Sequence, residues 1–153
     1  MHYSPILGNK KIMKYNGKRN RASGVIIHEN RVLLMHRINS HEGGREYYTT
    51  LGGGVEDDED IIEAVVREVY EESMVTVKVG ELILEHETEG QNQYYYICDY
   101  VSGEPGLWVD GPEYAKHQTG DIHEPVWVPF AEIKNINLLP IEIKDVLVDR
   151  FGS

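Results

Sequence analysis

Three glutamates spaced three and four residues apart, Glu68, Glu71 and Glu72, are the side chains whose type and placement could do chemistry together. On a helix those spacings gather the carboxylates into an arc of about 100°. Two unit charges about 4 Å apart repel by ~1 kcal/mol in bulk water and by roughly 4 kcal/mol at the effective dielectric of a protein surface. A hard divalent cation removes that conflict. Ligation by oxygen alone suits magnesium or manganese, which combine a few carboxylates with waters and substrate phosphates. The plainer reading is a solvated acidic face, since glutamate is a good helix former. Arg67 stands just before the cluster, with Glu63 one turn earlier as an ordinary ion-pair partner. Gly52, Gly53 and Gly54 lead into the acidic run. Missing side chains let backbone approach a phosphate or metal, although a glycine triplet also makes a plain turn before a helix.

The elements that must hold these groups follow from periodicity. Ile62, Val65, Val66 and Val69 recur at helical spacing and predict a helix over roughly residues 59–72. Upstream, SGVIIHE and RVLLMHR read as two strands turning at Asn30, INSHEGGREY as a loop, and TTLGGG as the exit of another strand. VTVKVGELILEHE, QYYYICDYV and EPVWVPF are further strands, and SGEPGLWVDGPEYAKHQTGD is a long loop of the kind that carries function. Pro140 opens a last helix whose Ile143, Val146 and Leu147 face the core. Strands with two well-separated helices predict an α/β protein with layers around a mixed sheet.

Composition narrows the function. At 153 residues, without repeats, the chain reads as one domain large enough for its own core. No run approaches the roughly 18 apolar residues of a membrane helix. The N-terminus lacks the organisation of a secretory signal, so the expected location is cytoplasmic. Cys98, the one cysteine, falls in a strand and is expected to be a reduced, packed thiol. A net charge of −11 argues against nucleic acid and anionic membranes as partners, and an anionic substrate would need a cation between it and the protein. The one basic stretch, Lys10 to Arg21, reads as part of an N-terminal extension over residues 1–22, leaving 23–153 as the domain.

The segment from Gly53 to Val75 resembles the Nudix hydrolase signature, G-x5-E-x7-R-E-U-x-E-E-x-G-U with U a bulky aliphatic residue. Gly53, Glu59, Arg67, Glu68, Val69, Glu71, Glu72 and Val75 match eight of the nine specified positions; Met74 stands where the family usually has glycine. That position follows the helix, where a left-handed cap is common and a side chain costs ~1 kcal/mol or more. The resemblance implies an α/β/α sandwich with a mixed β-sheet and two main helices, binding Mg2+ or Mn2+. It makes Glu71 and Glu72 the principal ligands, Glu68 a further ligand or the base that activates water, and the Gly52 carbonyl another ligand. Glu59 and Arg67 orient the cluster.

It also implies hydrolysis of a nucleoside diphosphate linked to another moiety, by attack of water on a pyrophosphate phosphorus. A downstream loop often adds a base or ligand, for which Glu113 is the candidate, with Glu104 and Glu124 as competitors. Arg37 and Arg45 could meet phosphates through their guanidinium forks. Gly53 could let substrate approach, and Tyr48 and Trp108 could stack a base, although packing is the commoner role of such rings. Tyr94, Tyr95 and Tyr96 alternate along a strand, so at most one face of that run can line a pocket. Of the marks that separate subfamilies, the proline of ADP-ribose enzymes is replaced by Gly90, Gln91 and Asn92, and Tyr94 comes late for dinucleoside polyphosphate enzymes. A nucleoside triphosphate, intact or damaged, is the expected substrate, ahead of ADP-ribose, a nucleotide sugar or a dinucleoside polyphosphate. A non-catalytic nucleotide sensor and a purely structural acidic helix are the other classes; a homodimer is compatible with all of them.

Overall fold

The computed structural model describes residues 16–39, 43–106 and 121–152. Eight strands form one mixed sheet: β1 Arg19–His28, β2 Arg31–Asn39, β3 Arg45–Thr49, β4 Leu51–Gly54, β5 Thr76–Glu87, β6 Gln91–Ser102, β7 Ile122–Pro129 and β8 Leu138–Leu139. The path runs β5-β6-β1-β2-β3-β8, with β4 paired to β1 and β7 to β2. β1 runs parallel to β6 and β3 parallel to β8, while the other pairs are antiparallel. Among the described residues there are two α-helices, α1 Ile61–Ser73 between β4 and β5 and α2 Ile141–Phe151 after β8, and a 3-10 helix spans Phe130–Asn135. Among the described residues no helix is long and apolar enough to cross a membrane.

Alternation along the strands sends side chains to two cores. Ala22, Ile26, Tyr94 and Tyr96 join Ile61, Ala64, Val65 and Val69 of α1. Val25 and Tyr95 join Ile143 and Leu147 of α2. A helix thus covers each face of the sheet, the expected α/β/α arrangement. All three tyrosines are essentially buried. The α1 stripe is rotated from the expected one: Ile61, Ala64, Val65 and Val69 are buried, whereas Ile62 and Val66 are half-buried at its edge. Helix and sheet approach closely at Gly24, where an added Cβ would lie 2.9 Å from Val69 Cγ2.

The ends of α1 have local causes. Asp60 is the N-cap, accepting from the Glu63 N–H while the Glu63 carboxylate accepts from the Asp60 N–H, each at 3.0 Å. This capping box engages Glu63, and the expected Glu63–Arg67 pair gives way to it. Met74 is the C-cap in the left-handed region, φ 65° and ψ 19°, with its N–H on the Tyr70 carbonyl. The chain therefore keeps the geometry that glycine would supply and bears roughly 1 kcal/mol of backbone strain. The β1–β2 turn also lies in this region at Glu29 and Asn30, as a tight hairpin requires. Two boundaries differ from the sequence reading. β1 begins at Arg19, because Arg19–Ala22 pair with β6 and, from Arg21, with β4. β3 begins at Arg45, inside the expected loop, because Arg45–Thr49 pair with β2.

Candidate active site

The three carboxylates of α1 are graded by burial. Glu72 is 7% exposed, while the Glu68 and Glu71 side chains are 16% and 32% exposed. Glu72 and Glu68 continue the line of the buried stripe and so point toward β4, as the packing of α1 dictates. The Gly52 N–H donates to Glu72 Oε1 at 2.8 Å. At Gly53 an added Cβ would lie 2.4 Å from the Glu68 carboxyl carbon, so only glycine lets that carboxylate sit against the strand.

Arg67 occupies the centre of the cluster. It meets Glu59 with two bonds, Nε to Oε2 at 2.6 Å and Nη2 to Oε1 at 2.8 Å. Its Nη1 donates to Glu68 at 2.9 Å and Glu71 at 3.2 Å, and its Nη2 to the Gly54 carbonyl at 3.0 Å. Part of the helix's charge conflict is thereby answered within the chain. The hydrogen bonds from Arg67 hold the Glu59 carboxyl below the usual carboxylate range. Burial pushes Glu68 up despite Arg67, which suits it to accept a proton more than an exposed glutamate would.

An all-oxygen face made of three glutamates and the backbone at Gly52 is chemically suited to a hard divalent cation. Among the described residues no three His, Cys, Asp or Glu side chains already converge as a metal cage. Such an open face is the usual form for Mg2+, which takes one or two carboxylates and completes its shell with water and substrate oxygens. The residues fit the group.

Beside this face lies a cavity of about 140 Å³. Gly52 belongs to both, through its N–H to Glu72 and through its place in the cavity wall. Arg37 lines the cavity, its Nε donating to Thr49 Oγ1 at 3.0 Å and its Nη1 to His123 Nδ1 at 2.7 Å. The opposite wall carries Arg21 and Ser23 of β1 with Gln93 and Tyr95 of β6, residues that are direct neighbours in the parallel register.

Of the substrate candidates read from the sequence, Arg37 lines the cavity and Gly53 lies against the Glu68 carboxylate. Two do not line the cavity: Tyr48, opposite His36, points to the other face of the sheet and stacks on His36 at 4.7 Å, while Arg45 shares the face of Arg37 but sits at the start of β3, opposite Asn39 and over the Tyr47 ring at 4.9 Å. Glu113 and Trp108 lie outside the described residues. Glu124 is opposite His36 on β7 and Glu104 is exposed. Arg21, Ser23, Gln93 and Tyr95 were not anticipated as a group. The available signal was their i, i+2 spacing on two strands, which has meaning only once β1 and β6 are paired.

The model of the NUDIX domain matches residues 18–148. No curated protein matches by sequence. Among solved structures, the MutT protein of Methanosarcina mazei Go1 is 23% identical at a TM-score of 0.61, covering 91% of this chain and 96% of that one. A NUDIX hydrolase from Nitrosomonas europaea is 19% identical at a TM-score of 0.67, covering 87% and 88%. An ADP-ribose pyrophosphatase from Streptococcus suis is 15% identical at a TM-score of 0.62, covering 88% and 92%. At these identities the likeness is one of fold.

Proposed function

Since the chain belongs to the NUDIX domain family, we propose that it is a metal-dependent pyrophosphohydrolase that cleaves a nucleoside triphosphate to the monophosphate and pyrophosphate. It is a hydrolase of pyrophosphate bonds. Members of this family generally work with divalent metal ions, and Mg2+ or Mn2+ suits the all-oxygen face here. Glu71, Glu72 and the Gly52 carbonyl would hold the ion. Bound there, it would neutralise phosphate oxygens and make the phosphorus easier to attack.

The remaining work belongs to the chain's own groups. Glu68 takes a proton from the attacking water, a role favoured by the burial that raises its pKa. Arg67 and Glu59 fix the Glu68 and Glu71 carboxylates in place. A bond forms from water oxygen to phosphorus, and the anhydride bond to pyrophosphate breaks. The observation that carries this reading is the double role of Gly52, whose N–H holds the buried Glu72 and whose backbone lines an opening large enough for one part of a substrate.

The fold alone does not choose the substrate, since a MutT protein and an ADP-ribose pyrophosphatase resemble this chain equally well. The preference for a triphosphate rests on the absent proline and the late tyrosine downstream of the signature. The test is an assay of nucleoside triphosphates, nucleotide sugars, ADP-ribose and dinucleoside polyphosphates with Mg2+, products identified, repeated with Glu71→Gln and Glu72→Gln. Each variant should lose turnover by at least about 100-fold while remaining folded by circular dichroism. Unchanged turnover in both would remove the metal assignment, and binding without hydrolysis of any compound would remove the enzyme.

A further inference from the structure

The cavity beside Gly52 is unusually rich in hydrogen-bond donors. Tyr95 Oη donates to Gln93 Oε1 at 3.0 Å, so the amide oxygen is engaged and the amide NH2 is left to face other partners. Burial keeps the Tyr95 phenol protonated, with its pKa pushed up to about 12. Thr49 Oγ1 already accepts from Arg37, which leaves the hydroxyl proton to give away. Arg21 and Arg37 can only donate, and both line the same space. Among the described residues Arg37 bonds to a hydroxyl and an imidazole and to no carboxylate, so there its positive charge is not consumed as that of Arg67 is. At about 140 Å³ the space is below the roughly 300 Å³ of a typical whole-ligand pocket, and therefore takes one part of a substrate.

Resting on the hydrolase reading above, we propose that this cavity is a specificity pocket for an acceptor-only edge of the substrate, and that Tyr95 sets the preference by orienting the Gln93 amide. Such an edge offers two adjacent lone pairs with no hydrogen on either atom. On a purine nucleotide it is O6 and N7 of guanine, the pair that a guanidinium reads bidentately, whereas adenine places an N6 amino group beside N7. A phosphate presents the same chemistry from another part of the substrate. Ser23 and Thr50 hydroxyls can rotate to follow whatever the arginines and the amide select. Tyr95 is a positioning residue, since its hydroxyl acts through Gln93.

The experiment measures kcat/KM with Mg2+ for GTP and ATP, and calorimetric Kd for both, on the native chain, Gln93→Glu and Tyr95→Phe. The native chain should favour GTP by about 10-fold or more. Gln93→Glu turns a donor into an acceptor and should reduce or invert that ratio. Tyr95→Phe frees the amide to turn and should lower kcat/KM for GTP by more than for ATP, shrinking the ratio, a selective effect that general loosening of the core would not produce. An equal loss for both nucleotides in Gln93→Glu, with weaker inhibition by inorganic phosphate, would assign the acceptor edge to a phosphate. A native preference for ATP, or constants untouched by both substitutions, overturns the proposal. If no nucleotide is hydrolysed the enzymatic reading fails instead, and the GTP-to-ATP ratio of Kd still decides the pocket.

Discussion

Arg67 and Arg37 are separated by the Gly52 strand and live in opposite company. Arg67 donates to Glu59, Glu68 and Glu71 and to the Gly54 carbonyl. Arg37 donates to the Thr49 hydroxyl and the His123 ring, both neutral acceptors when the ring nitrogen carries no proton. One guanidinium is spent on holding the protein's own carboxylates, and the other meets no carboxylate among the described residues. The difference shows why a site for a polyanion needs both kinds: acids must be oriented without being neutralised, and the substrate must meet a cation that no acid has claimed.

The sharpest way to break this contrast is to remove Arg67. Arg67→Met leaves three partly buried carboxylates without their shared partner, and should cost about 3 kcal/mol, at the low end for a broken buried pair because its side chain is 25% exposed. Thermal denaturation should register this as a fall on the order of 10 °C, with Mg2+-dependent turnover lost alongside. A drop below 2 °C would mean that the cluster does not depend on Arg67.

Arg37→Met should do the reverse. It forfeits two bonds to neutral partners, about 1 kcal/mol each, so stability should fall by about 2 kcal/mol at most, less than in Arg67→Met. KM for the nucleotide should rise by about 10-fold or more as a charge-assisted contact is lost. An unchanged KM would place Arg37 outside the substrate contacts.

The smallest effect is in pH. The Glu59 carboxyl is lowered by its bonds to Arg67 below the ordinary value of 4.5. Its contribution to stability is therefore fully present above that value and is lost as the pH falls through the lower folded value. Acid titration of stability should show this loss in the native chain and in Arg37→Met, and should show it weakened in Arg67→Met. Identical acid profiles in all three would contradict the coupling.

How much of this could be read in advance depended on distance along the chain. The α1 helix, its acidic face, the Asn30 turn and the odd cap at Met74 are local matters, set within a few residues by spacing, capping and backbone preference. The Glu63 partner and the edge of the apolar stripe differ from what helical spacing predicts because the capping box and the sheet, not the helix alone, decide them. Arg37, Arg45 and Tyr48 are all candidates by residue type; strand register turns Tyr48 to the other face, and position along β3 carries Arg45, on the face of Arg37, out of the cavity wall. Arg21 was read as part of a basic extension, yet it stands opposite Gln93 and Gly54 in the sheet.

The sequence by itself determined the family, the carboxylate set on one helix and the sandwich class, because those features are written in short-range pattern. Only the tertiary structure decided which arginine is free for a ligand and what the cavity wall can donate. Those properties arise where β1 meets β6 in parallel and β2 meets β7 antiparallel, bringing Arg21 to Gln93 and Arg37 to His123 across long stretches of intervening chain. No local rule fixes such a register; the burial of both faces of the sheet does.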